Sequence, residues 1–200
     1  MKVVFWGEIS PFEITQNMYT VAELLAFYMP SVQIRIFRRR NPDAEQPKRT
    51  ARRSGKGTAK QKPNSCKKEL SFYDCGNRSD AKTRRQIREA DLVVINLYRD
   101  SYGWEHLGEY GIWREERTVF LVSGYWEVSN LRRFMEKTYR IDAGNIAVIP
   151  YNNEFQDAAE RREAAKFLKR SIKRSEKNKM LNDELRRTVF LFQREISKFY

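Results

Sequence analysis

Residues 1–30 read MKVVFWGEISPFEITQNMYTVAELLAFYMP. Val3, Val4, Phe5 and Trp6 make a short unbroken apolar run, the mark of a strand covered on both faces. From Thr15 to Met29, the residues Met18, Val21, Ala22, Leu25 and Met29 recur at helical spacing, and Pro30 stops the helix. A buried strand, a turn and a helix in that order open a parallel α/β fold. In such folds the turn is where phosphate is held, against the N–H groups of the helix start. Between Gly7 and Thr15 this turn has one glycine and no lysine. The stretch speaks for an architecture more than for an activity.

The rest of the chain continues the pattern. Val32, Ile34 and Ile36 alternate with Gln33 and Arg35, a second strand. Further strands are read at 69–74 (ELSFYD), 91–97 (DLVVINL), 118–123 (TVFLVS) and 146–149 (IAVI). Helical patterns lie at 79–90, 104–115, 127–139 and 155–172, the last placing Phe155, Ala158, Ala159, Ala165, Leu168 and Ile172 toward a core. Asn182 is placed to cap a final helix through Leu185, Val189, Phe192, Ile196 and Phe199. Uncharged strands alternating with helices predict an α/β fold: a mostly parallel sheet of five or six strands with helices on both faces. We read residues 1–172 as a single α/β domain, and 173–200 as a C-terminal helical tail expected to pack back on it. Ligands of such sheets sit beyond the carboxyl ends of the strands. That rule gathers residues 7–17, 74–78, 96–102 and 150–154 around one crevice.

Charge is unevenly spread over a chain of 39 basic and 26 acidic residues, net +13. Residues 38–68 hold 12 basic and 2 acidic side chains, and residues 161–200 hold 13 and 5. The remainder holds 14 and 19, so a mildly acidic body carries a basic insertion and a basic tail. The insertion has few apolar side chains to offset the entropy of ordering and reads as mobile. Its GKGT at 55–58 lacks the preceding strand and following helix that a phosphate loop needs. Basic surfaces of this kind attract a polyanion, with strong salt dependence. Candidate contacts for a protein partner or nucleic acid are Arg38, Arg39, Arg40, Lys48, Arg52, Arg53 and Lys56 in the insertion. In the tail they are Arg162, Lys166, Lys169, Arg170 and Lys173. An acidic membrane surface and a homodimer contact through the last helix stand behind those two as partners. Cys66, Cys75 and His106 are too few for a disulfide scaffold or a zinc site, so no metal is expected, and a turn without a phosphate loop leaves no cofactor expected either. No run of 18 uncharged apolar residues occurs and Glu8 comes early, so the expected location is cytoplasmic.

With these segments in place, the chain resembles the ParA/MinD-like family of deviant-Walker P-loop ATPases. KVVFW followed by ITQN is similar to the family's first strand and helix, FYDCG to its second strand with a switch aspartate, and ADLVVINL and TVFLVSG to the next two. NIAVIPYNNEFQDA resembles the segment whose proline-containing loop contacts adenine in the family. The resemblance covers most of residues 1–172 outside the insertion. It implies a nucleotide site at Gly7, Phe12, Ile14, Thr15, Asp74, Tyr151 and Asn152, with Asp74 holding the metal's water. The family's glycine-rich loop and lysines are replaced by GEISPFEITQN, in which Ile14 stands where the loop lysine would be. Glu8 and Glu13 would repel a triphosphate. The resemblance therefore implies a vestigial site in a degenerate member that no longer hydrolyses ATP, with no catalytic residue assigned. The leading reading is a scaffold or regulatory protein that docks a macromolecule through basic surfaces. The alternatives are a non-specific DNA- or RNA-binding protein, and a small-molecule enzyme reusing the crevice with Asp74, Cys75 and His106.

Overall fold

In the computed structural model, which describes residues 1–38, 68–97, 115–125, 128–172 and 178–200, the apolar runs assemble into one sheet of six parallel strands. These are β1 (Lys2–Gly7), β2 (Val32–Arg38), β3 (Lys68–Gly76), β4 (Leu92–Leu97), β5 (Thr118–Tyr125) and β6 (Ile146–Pro150), in the spatial order β2-β3-β1-β4-β5-β6. The described helices are α1 (Pro11–Tyr28), α2 (Ala81–Arg88), α3 (Val128–Tyr139), α4 (Asn153–Glu160), α5 (Ala164–Ser171) and α6 (Lys179–Ser197). The result is an α/β fold of P-loop-NTPase-like architecture, with its first strand inside the sheet and helices on both faces.

Strand periodicity explains the two cores. Val3 and Phe5 of β1, Val94 of β4 and Leu121 of β5 point to the face covered by α1, α4, α5 and α6. Val4, Trp6, Ile95 and Phe120 point to the other, where Ile87 of α2 and Leu131 and Met135 of α3 cover them. Because both faces are dry, the central strands carry no alternation, and β4 is buried at all six positions. Phe5, Phe72 and Phe120 are fully buried, each contributing roughly 2–3 kcal/mol of transfer free energy.

Three local expectations are corrected. Helix α1 begins at Pro11 rather than Thr15, because Ser10 caps it and proline suits a first position whose N–H needs no partner. The helix expected over 155–172 is two, α4 and α5, broken where Arg162 takes a left-handed φ of 58°. Asn182 does not cap α6, which starts at Lys179; it is buried inside the helix and accepts a hydrogen bond from Ser171 Oγ at 3.1 Å.

The last helix closes one margin of the sheet. Thr188 Oγ1 accepts from the Val148 N–H at 3.1 Å and donates to the Val148 carbonyl at 2.9 Å, occupying groups that an edge strand leaves open. Arg132 of α3 forks onto Glu184 of α6 at 2.6 and 3.2 Å, so the helix is tied to elements on both faces. The residues that follow it reach β3, where the Tyr200 hydroxyl donates to the Glu69 carbonyl at 2.6 Å. The opposite margin, β2, has no such cover among the described residues; it exposes Arg35, paired with Glu69 at 2.7 Å, and Phe37, stacked on Tyr73.

Candidate functional site

The junction at Gly7 is built for packing. Gly7 lies opposite Asn96 in the β1–β4 ladder, and a Cβ there would sit 2.2 Å from the Asn96 carbonyl oxygen. Only Glu8, Ile9 and Ser10 connect β1 to α1. Ile9 is buried in the core under α1, so the connection folds inward rather than around a ligand. Ser10 Oγ accepts from the Phe12 N–H at 3.3 Å, and Glu13 lies in the first turn. The positive end of the helix dipole is therefore already met by the protein's own oxygens. Ile14 is fully buried against the sheet, and Phe12 is 68% exposed, so it does not fill the junction.

Thr15 and Asp74 meet. Thr15 Oγ1 lies 2.5 Å from Asp74 Oδ2 and 2.9 Å from the Pro11 carbonyl oxygen. Asp74 Oδ1 accepts from the Gly76 N–H at 3.1 Å, at a bulge where the β1–β3 register slips and Gly76 takes a φ of 57°. Both carboxylate oxygens thus hold protein groups, one ordering the turn and one tying α1 to β3.

Beside this pair lies a buried polar network that sequence reasoning found only in part. Asn17 Nδ2 donates to Asn96 Oδ1 at 3.2 Å and to Ser123 Oγ at 3.1 Å, while Asn96 Nδ2 donates to the Trp6 carbonyl at 3.1 Å. It joins α1, β4 and β5 at the carboxyl ends of the strands. Above it a cleft of about 540 Å³ separates α1 from α4. Phe12, Glu13 and Asn17 line one wall, Tyr151 and Glu160 the other, and Ser123 the floor; no lysine or arginine among the described residues takes part. Asn152 caps α4 by accepting the Phe155 N–H at 2.9 Å, which leaves Tyr151 as the residue of that loop facing the cleft.

The tail cations are partly consumed inside the molecule. The Arg162 guanidinium sits 3.8 Å from the centre of the Tyr19 ring. Lys166 pairs with Glu163 at 2.5 Å, and that hydrogen bond holds the Glu163 carboxyl below the usual carboxylate range. Lys169 and Arg170 are exposed, with Arg170 Nε donating to the Lys166 carbonyl at 3.4 Å. Arg38 ends β2. Arg39, Arg40, Lys48, Arg52, Arg53, Lys56 and Lys173 lie outside the described residues, as do Cys66 and His106. Cys75 is buried, with Sγ 3.2 Å from Gln86 Oε1. The trio of Asp74, Cys75 and His106 is therefore described only in its first two members.

Helix α5 is capped from a distance. The Glu163 side chain, at the N-cap, accepts from no N–H of the helix start; Glu23 of α1 accepts from the Ala165 N–H at 3.4 Å instead. Burial pushes the Glu23 carboxyl above its usual range, against the lowering effect of the Ala165 and Ala164 N–H groups and of Arg162. A carboxyl with a raised folded-state pKa favours the fold below its unfolded pKa and loses that contribution as pH rises. Glu23→Gln, which keeps the acceptor, is therefore expected to melt no lower than the parent at pH 7. Any advantage should shrink as pH falls toward 4, where Glu23 is increasingly protonated in both states. Thermal melts at the two pH values check this, and a variant markedly less stable at pH 7 would reverse the sign.

No protein-family model matches the chain, and no curated protein matches it. The likeness to P-loop NTPases rests on the architecture, the parallel sheet flanked by helices.

No helix among the described residues is long and apolar enough to cross a membrane. No group of three or more His, Cys, Asp or Glu side chains among them could hold a metal ion.

Proposed function

We propose that this chain is a degenerate ParA/MinD-like protein, a P-loop-NTPase-like fold kept as a docking scaffold and stripped of phosphate chemistry. It engages an acidic macromolecule through its basic surfaces. The observation that carries the reading is the three-residue connection from β1 to α1. A phosphate loop of the GxxxxGK[ST] type offers a run of backbone N–H groups and a lysine. Here the same place offers a buried isoleucine, a capped helix start and Glu13.

The test is a pair of titrations on one sample. Calorimetry with Mg-ATP and Mg-GTP is expected to give no binding up to millimolar nucleotide. Polyanions, duplex DNA and poly-glutamate, are expected to bind at about 50 mM salt and to weaken steeply as salt rises. Micromolar affinity for Mg-ATP that disappears in Thr15→Ala would overturn the proposal.

A further inference from the structure

The densest cationic face among the described helices lies outside the two long basic segments. Helix α2 reads AKTRRQIR and follows Asp80, whose carboxylate accepts the Thr83 N–H at 2.8 Å. Thr83 and Ile87 are its only buried residues, while Lys82, Arg84, Arg85 and Arg88 are all exposed. Arg85 pairs with Glu89 at 2.7 Å. Lys82 and Arg88 have no ion-pair partner among the described residues, and Arg84 donates from Nε to the Ser79 carbonyl.

This charge works against the helix that carries it. Lys82 and Arg85, Arg85 and Arg88, and Arg84 and Arg88 are like-charge neighbours at three- and four-residue spacing, and each such pair is destabilising. An eight-residue helix anchored by two side chains has little stability to spare. Cations concentrated there call for an anionic counterpart.

The position adds to this. Strand β2 ends at Arg38, opposite Asp74 of β3, and β3 leads directly into the loop that opens α2. The exposed Arg38 thus lies at the end of the sheet where α2 begins.

We infer that the exposed face of α2 is a docking surface for nucleic acid, read through its phosphodiester backbone. The inference rests on the scaffold reading above and names its partner class. A folded protein partner would want an apolar or aromatic anchor at the centre of the contact, and the exposed face of α2 offers only Ala81 among its cations. A phosphate backbone wants closely spaced guanidinium and ammonium groups and no anchor. Binding is therefore independent of base sequence.

The test uses the full chain and a short fluorescein-labelled duplex of mixed sequence, with anisotropy read over a salt series. The variant is Lys82→Glu with Arg88→Glu. It converts the repulsions with Arg85 and Arg84 into attractions, so its melting temperature should match or exceed the parent's. Its affinity at low salt should fall at least tenfold. The slope of log K against log salt should flatten by about 2, near 0.9 for each phosphate that is no longer neutralised. Lys169→Glu with Arg170→Glu, the corresponding change in the tail, should cost less. An affinity unchanged in the α2 variant overturns the inference, whatever the tail variant does. A parent that binds poly-glutamate but not DNA also overturns it and leaves the scaffold reading standing. A parent that binds neither polyanion sinks both.

Discussion

Gly7→Ala is expected to destabilise the protein by about 3 kcal/mol, at the upper end of overpacking effects. The new methyl carbon would sit 2.2 Å from a backbone carbonyl oxygen in β4. No side-chain rotation relieves such a contact; two central strands must part, in the middle of both cores. For a chain of this size the loss corresponds to a melting temperature lower by roughly 6–12 °C. Gly124→Ala provides the contrast. Gly124 has a φ of 72° and nothing within 4 Å of the new Cβ, so only backbone strain is incurred, about 1 kcal/mol. A glycine serving a phosphate would show its mutation in ligand affinity; this one should show it in stability. If Gly7→Ala melts within about 2 °C of the parent, under 1 kcal/mol on that scale, the close approach of β1 to β4 is not real.

Thr188→Val is expected to cost about 2–4 kcal/mol, although it makes the core more apolar. Thr188 is 1% exposed, and its hydroxyl serves both the N–H and the C=O of Val148. Valine fills the same space and leaves two buried backbone groups with no partner. Thr188→Ser keeps the hydroxyl, loses one methyl and should cost only about 1 kcal/mol. Urea unfolding of the three proteins decides the matter, because hydrophobicity alone would put Val first and the expected order of parent, Ser, Val puts it last. A valine variant as stable as the serine variant would show that water, not Thr188, satisfies Val148.

The strands were legible because a sheet covered on both faces needs continuous apolar runs, and this chain has them at Val3–Trp6 and Leu92–Leu97. The start of α1 was not legible from periodicity, since its first turn, Pro11 to Glu13, is held by a cap rather than by burial. Nor was the break at Arg162, where the alanines on either side keep a helical rhythm while the backbone turns through a left-handed residue. Within the site, Asn17 could have been found. It stands on the same stripe as Ile14, Met18 and Val21, and an amide on a buried stripe needs partners. Glu23 could not, because it caps a helix about 140 residues away. The arginines of α2 are plain in the sequence, but not which side of the helix they face. Their charge was counted with an acidic body, and only the fold separates the exposed side from Thr83 and Ile87.

The place of β1 inside the sheet also sets a timetable for the chain as it is made. Its neighbours are β3 and β4, about 70 and 90 residues downstream, while its own helix and β2 are complete much earlier. At ribosomal rates of about 5–20 residues per second, β1 waits roughly 5–20 s for its second partner. Through that interval Val3 to Trp6 is a hydrophobic strand with at least one open edge, the kind of segment that chaperones hold and that aggregates nucleate on. Helix α6, which seals β6, arrives later still. Nascent chains stalled between β6 and α6 should therefore carry an assembled sheet with an unguarded margin at β6.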